Sequence, residues 1–331
     1  MVLGIVGVGG TWCNRLPSTV AGWCNGGLVA QLHLLSDFDG VWTEPARELV
    51  EVRRAVVAEL AGLVGETEAL FEEVFETHLG GVFAEPQDHG WRVEGRITSY
   101  VDEDHFGVPA SVGHSIEAAG DELGARVRAA VARTHGDMTT FLNHCYHSTC
   151  TRYRLAVAHD LTAGAASVLR ELLAAGVRVT FATNAPAEKV VDWFGAQDLE
   201  VTDAAKDPRA PLRVFGRAGK QWLGPEPTHL EFAGRRVFTD RPQYQALLEQ
   251  ERPDAVIGDV LSLDLATPLA MRAAGNPAAP RAILLRRNPA TPAWVEAAVG
   301  AAPHHLDALL EHVRALPECL LQLAPSGGAR A

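Results

Sequence analysis

The stretch Val29-Ala30-Gln31-Leu32-His33-Leu34-Leu35-Ser36-Asp37-Phe38-Asp39-Gly40-Val41-Trp42-Thr43 decides the fold class. Residues 29–35 are a mostly apolar run suited to a buried strand. The run ends in two aspartates one residue apart, followed by glycine, so the chain turns here and Gly40 permits the turn. Open α/β sheets place their sites at the carboxyl ends of strands, which is where this pair stands. Clustered negative charge is costly unless a cation neutralises it. Taken alone, the segment also reads as a surface turn with two solvated aspartates.

Outward from this turn, helical spacing takes over. Leu49, Val52, Val56, Val57, Leu60 and Leu63 recur at threes and fours and predict a helix over 45–64. A second helix is expected over 66–78, a hairpin around WRVEGRITSY (91–100) in a Gly-rich stretch spanning 79–112, and a further helix over 116–134. From His159 the rhythm is β/α. Helix 159–175, strand 177–182, helix 186–195, a variable stretch, strand 235–240, helix 242–250 and strand 254–259 follow in order. Helix 264–274, strand 281–287 and a helix over 305–316 complete the pattern. Strands alternating with helices predict an α/β fold with a Rossmann-like parallel sheet covered on both faces.

The 331 residues suffice for one large domain with an insertion or for two domains. Lys+Arg is 29 against Asp+Glu 41, and a net charge of −12 argues against a nucleic-acid partner, which needs clustered cations. No window approaches eighteen uninterrupted apolar residues, so no membrane span is expected. Five cysteines, an odd and sparse count, suit a reducing, cytoplasmic setting. Lysine occurs only at Lys189, Lys206 and Lys220, so a retained lysine in this arginine-rich chain points to a chemical need. MVLGIVGVGG (1–10) resembles a nucleotide-binding glycine turn only superficially, because Pro17, Gly22, Gly26 and Gly27 interrupt any following helix. Residues 1–28 are expected to be a loosely ordered extension or translated upstream sequence.

Three later segments accompany Asp37 and Asp39. Strand 177–182 ends in Thr183-Asn184, Lys220 lies in FGRAGKQW (215–222), and strand 254–257 ends in Gly258-Asp259 with Asp264 five residues on. The order D-x-D-G-x-x-T, T-N, K, G-D-x4-D resembles the four motifs of the haloacid dehalogenase (HAD) superfamily, over roughly residues 32–43 and 159–312. Lys206 competes with Lys220 for the third motif; Gly216 and Gly219 give Lys220 the more adaptable loop. The resemblance implies a HAD-like catalytic core made of 29–43 and 159–331, with 44–158 an inserted, mainly helical cap of the C1 type. Linkers at Glu44 and near Ala158 would let that cap open and close.

The same resemblance implies a Mg²⁺-dependent phosphatase acting on a small phosphorylated metabolite. Asp37 would be the nucleophile and Asp39 the general acid and base. Asp37, Asp259 and the Asp39 carbonyl would hold Mg²⁺. Thr183, Asn184 and Lys220 would bind the phosphoryl group, and Asp264 would orient Lys220 or a metal-bound water. An acid at Asp39 points to phosphoryl transfer and away from dehalogenation. A mutase of the β-phosphoglucomutase type and a non-catalytic HAD-like binding protein remain alternatives. Outside the motifs, His144, Cys145, His147 and Cys150 form a zinc candidate. His105, Arg92, Arg96, Arg152 and Arg154 are candidate cap contacts to substrate, and Trp42 is either a core residue or a neighbour of the leaving group.

Overall fold

A computed structural model describes residues 32–156, 159–300 and 304–323; the expectation for residues 1–28 lies outside them. The chain runs β1 (His33–Ser36), α1 (Ala46–Val64), α2 (Glu68–Ala84), β2 (Gly90–Val93), β3 (Arg96–Tyr100), α3 (Gly107–Ala118), α4 (Glu122–His135) and α5 (Met138–Ala156). It continues through α6 (Ala165–Ala174), β4 (Arg178–Ala182), α7 (Ala187–Gly195), β5 (Thr202–Asp203), β6 (Leu212–Phe215), β7 (His229–Phe232), β8 (Arg235–Phe238) and α8 (Pro242–Glu251). Then come β9 (Ala255–Gly258), a π-turn at Leu261–Leu265, α9 (Ala266–Ala273), β10 (Ala282–Arg286), α10 (Ala293–Glu296), β11 (Ala308–Leu310) and α11 (Leu316–Leu323).

Seven strands form one sheet in the order β11-β10-β9-β1-β4-β6-β5, and every pairing in it is parallel. The apolar strands are buried on both faces, as a parallel sheet requires. Leu34 and Ile257 join one hydrophobic cluster with α6, α7 and α11, while Leu35 and Val256 join another with α8 and α9. Beneath the first turn, Phe38 packs edge-on against Phe181, Trp193 and Phe194, with centroids 5.7–5.9 Å apart. Trp42 belongs to this core: its indole N–H donates to Ser36 Oγ at 2.7 Å, and its ring meets Phe181.

Helices α1 to α5 and the β2–β3 hairpin make up the insertion after β1, an inserted, mainly helical cap with its own cluster around Phe71, Phe75, Val127 and Phe141. Glu94 and Gly95 both take positive φ in the two-residue hairpin turn, the conformation that matches strand twist. The cap also meets the core through this hairpin. Arg235 forms a bidentate pair with Asp102 at 2.8 and 2.9 Å, Glu103 accepts from Ser262, and buried Arg241 donates to Thr98 O at 2.6 Å and to Lys220 O. The expectation of a cap joined by two linkers alone therefore misses a third attachment.

Four other expectations need correction. The segment 235–240 is no strand of the parallel sheet: β8 pairs antiparallel with β7, and β6, from the variable stretch, lies beside β4 instead. The helix expected over 305–316 is replaced by β11, which pairs with β10, and by a helix starting at Leu316. Pro317 explains the shift, since proline lacks an N–H and suits the first turn of a helix. The helix expected over 116–134 is two helices, broken before Asp121, whose side chain accepts from Gly124 N and caps α4. Similarly, α6 begins at Ala165 and not at His159, after Gly164 at φ 89°.

Phe38→Ala removes the ring at the centre of the aromatic cluster and is expected to cost about 3–5 kcal/mol in urea unfolding. A loss below about 1 kcal/mol would mean that the motif turn does not rest on this core.

Candidate active site

The sheet order assembles the motif residues. Register pairs Ser36 with Phe181 on β4 and with Ile257 on β9, so the three strands end side by side. Asp37 follows the central strand, Thr183 follows its neighbour on one side, and Asp259 follows its neighbour on the other. Asp37 N donates to Ile257 O at 2.9 Å and Thr183 N to Phe215 O at 3.1 Å, which ties both turns to the next strand over.

Two glycines leave room for the carboxylates. A Cβ on Gly40, at φ 74°, would stand 1.9 Å from Asp259 Oδ2, and a Cβ on Gly258 would stand 2.2 Å from Asp264 Cβ. Another pair shapes the lysine loop. A Cβ on Gly216 would meet Ala187 N at 2.2 Å, and one on Gly219, at φ 69°, would meet Gln243 Oε1 at 2.0 Å. Ala218 N donates to Thr183 O at 2.9 Å and Lys220 N to Asn184 Oδ1 at 2.9 Å, so the loop is pinned on the Thr183-Asn184 turn. Lys220 Nζ lands 2.6 Å from Asp37 Oδ1 and 2.6 Å from Asp264 Oδ1. Lys206, its competitor in the sequence, is exposed on the loop after β5.

Asp264 is fully engaged, since its second oxygen accepts from Val260 N at 3.1 Å. Asp259 accepts from Asn288 Nδ2 at 2.8 Å. Oxygens of Asp37, Asp259 and Asp264 lie within 4.8 Å of one another. Burial pushes Asp37 up to about 7, and Asp264 and Asp39 add to the rise while Lys220 opposes it. Burial likewise pushes Asp259 well up, helped by Asp264 and Asp37. The cluster thus carries more negative charge than one ammonium offsets, and its donors are hard oxygens. Both properties fit a small divalent cation such as Mg²⁺ on Asp37 and Asp259, with Asp264 committed to Lys220.

The sequence reading missed Lys189 and Glu48. Lys189, on α7, is 0 % exposed, and its ammonium lies 2.8 Å from Asp39 Oδ1 and 2.5 Å from Glu48 Oε2, on the first turn of α1. Burial alone would lower Lys189, but the two carboxylates reverse this and hold it above its ordinary value. One oxygen of Asp39 is thereby tied to a residue of the cap. Only the scarcity of lysine in the chain hinted at such a role.

Asp37, Asp39, Thr183, Asn184, Lys220 and Asp259 all line one cavity of about 80 Å³. The cap closes it with Trp91, Phe106, Tyr146, Asn143, His105 and Asp104. His105 therefore lines the cavity. The candidate arginines are elsewhere. Arg92 donates to Asp88 O and Gly95 O, Arg96 to Gly224 O, Arg152 to Thr149 Oγ1, and Arg154 to Asp192. The zinc candidates are spread around α5, with Cys145 and Cys150 buried and His144 exposed, and among the described residues no His/Cys cluster gathers. No described helix is long and apolar enough to cross a membrane.

No protein-family profile and no curated protein sequence matches the chain. Among solved structures it is similar to a hydrolase from Pseudomonas syringae (14% identity, 89% of this chain and 100% of that one, TM-score 0.44). It is also similar to a HAD phosphatase from Thermococcus onnurineus (14% identity, 91% and 100%, TM-score 0.43). A third is the 2-haloacid dehalogenase from Pseudomonas syringae pv. Tomato (16% identity, 89% and 100%, TM-score 0.37).

Lys189→Met leaves Glu48 and Asp39 without their cation and is expected to destabilise the protein by about 3–5 kcal/mol in urea unfolding. Adding Glu48→Gln to that variant should recover part of the loss, because the two sites are coupled. A single-variant cost below about 1 kcal/mol would contradict a buried, ion-paired Lys189.

Proposed function

We propose that the protein is a Mg²⁺-dependent phosphatase that hydrolyses a small phosphate monoester through an aspartyl-phosphate on Asp37. The observation that carries this reading is the pairing of Asp37, held by Lys220 at 2.6 Å, with a second carboxylate, Asp39, lining the same cavity. A nucleophile and a separate acid two residues apart suit a displacement in two steps.

In the first step an Asp37 oxygen attacks phosphorus and the ester P–O bond breaks. The departing alcohol oxygen takes its proton from Asp39. In the second step Asp39 takes a proton from water, the water oxygen attacks phosphorus, and the bond to Asp37 breaks to release phosphate. Lys220 balances the charge on the phosphoryl oxygens, while Asp264 keeps the ammonium in place. Thr183 Oγ1 accepts from Ala185 N at 3.0 Å, which commits a lone pair and leaves the hydroxyl proton to donate to a phosphoryl oxygen. Asn184 uses its carbonyl on Lys220 N and has an amide nitrogen with which to donate. Mg²⁺ on Asp37, Asp259 and the Asp39 carbonyl would supply Lewis-acid neutralisation of the phosphoryl charge. The cap aromatics exclude water from the alcohol side of the cavity.

Asp37→Asn is expected to lower phosphate release by more than about 10³-fold without loss of folding, since it removes the group that forms the covalent bond. Chelation should abolish activity, Mg²⁺ should restore it, and Asp259→Ala should prevent that restoration. Activity of Asp37→Asn within tenfold of the parent, or full activity after exhaustive chelation, would overturn the proposal.

A further inference from the structure

Asp39 is held by two residues that line no part of the cavity. Both hydrogen bonds given to its carboxylate fall on one oxygen. Oδ1 accepts from Lys189 Nζ at 2.8 Å and, more weakly, from Thr43 Oγ1 at 3.5 Å, while Oδ2 takes none among the described residues. Asp39 lines the cavity and its side chain keeps 11 % of its surface open. Lys189 and Glu48 are not among the lining residues, and their side chains keep 0 % and 3 %. A phosphate ester in the cavity therefore meets Asp39 and neither member of the pair behind it.

An aspartate carboxylate turns easily about its last bond, because that torsion has only broad, two-fold preferences. A solvent-exposed lysine would do little to stop it, since its ammonium rides on a flexible four-carbon stem. Lys189 is fixed on every side. Its backbone N donates to Pro186 O at 3.1 Å in the first turn of α7, so the stem starts from a set point. Its ammonium stands 5.0 Å from the Trp193 ring centroid and 6.0 Å from that of Phe38, against the aromatic core. Glu48 Oε2, from the first turn of α1, holds it at 2.5 Å. Charge-assisted hydrogen bonds of this kind are short and strong. Groups on α1, on α7 and on the turn after β1 thus locate the ammonium before Asp39 meets it. Oδ1 is committed to that ammonium, which leaves Oδ2 to carry the transferred proton.

We infer that Lys189 and Glu48 form a positioning pair for the general acid and base, fixing which oxygen of Asp39 meets the leaving alcohol; the inference rests on the phosphatase reading above. The pair matters where a proton must be delivered. An alkoxide leaves only as it is protonated, whereas a nitrophenolate is stable enough to leave as the anion. Misplacing Asp39 therefore penalises an ester more strongly the more basic its leaving oxygen is. A pair that served only to hold the fold would penalise all esters alike.

The test compares kcat/KM, with Mg²⁺ present, for benzyl phosphate and p-nitrophenyl phosphate, which are similar in size and differ in the basicity of that oxygen. This parameter covers the steps up to loss of the alcohol, so the later hydrolysis at Asp37 does not enter it. Lys189→Met/Glu48→Gln removes both buried charges together and leaves neither unpaired. It should lower benzyl phosphate by about 10²-fold and p-nitrophenyl phosphate by less than about threefold. Asp39→Asn should show the same split at equal or greater depth. Adding the double change to it should widen that split by no more than about threefold, because the pair acts through Asp39. Glu48→Gln alone, which keeps the ammonium, should give a split in the same direction of about threefold or more, and it carries the test if the double variant does not fold. Equal losses on the two esters, no loss on either, or a split that widens further in the Asp39→Asn background would overturn the inference while leaving the phosphatase reading intact. Equal losses in Asp39→Asn itself would overturn Asp39 as the acid, and this inference with it. Release of phosphate from neither ester by the parent enzyme would overturn the phosphatase reading instead.

Discussion

The structure depends on one electrostatic constraint: carboxylates crowd the ends of two adjacent parallel strands, β1 and β9, and the buried ammonium of Lys220 lies among them at 2.6 Å from two. Such crowding is tolerated only where the backbone brings the groups in without steric conflict and where positive charge completes the balance. Gly40 and Gly258 give the carboxylates space, and Gly216 and Gly219 let the lysine loop fold down over the Thr183-Asn184 turn. The aromatic core under Phe38 fixes the floor on which the turn stands. Each feature is local, yet together they leave an excess of negative charge that a divalent cation on hard oxygen donors would relieve.

The cap is bound to this arrangement at two places of different chemistry. Glu48 reaches from the first turn of α1 to Lys189, and through it to Asp39. The β2–β3 hairpin reaches the opposite side, where Arg241 bridges Thr98 O and the carbonyl of Lys220 itself. Asp39 and the backbone of Lys220 are thus each linked, through one buried cation, to the element that covers the cavity. Movement of the cap and the placement of Asp39 and Lys220 are physically linked for that reason.

Much of the site could be read in the sequence because its residues follow apolar strands directly, so that chain order and strand ends sufficed to locate Asp37, Thr183 and Asp259. Other parts were hidden for definite physical reasons. Strand β6 escaped because its apolar run is interrupted by Arg213, which is buried and paired with Glu251 and Thr180. Strand β8 has the same local pattern as a parallel strand, and only its antiparallel pairing with β7 separates the two. Lys189 occupies a helical position that reads as solvent-facing until the fold places Asp39 and Glu48 around it. Trp91, Phe106 and Tyr146 come from a strand, a loop and a helix, and nothing in their spacing announces that they share a wall.

The central claim is that Asp37 carries the phosphoryl group between two displacements. Acid-quenching the Mg²⁺-loaded enzyme during turnover of a small phosphate monoester, followed by peptide mass spectrometry, tests it most directly. The account predicts a phosphoryl group on the peptide containing Asp37, acid-stable and base-labile as an acyl phosphate is, and its absence from Asp37→Asn. Turnover with no phosphorylated peptide at rapid-quench times when Asp37 should be loaded, or a phosphoryl group on another residue, would contradict it.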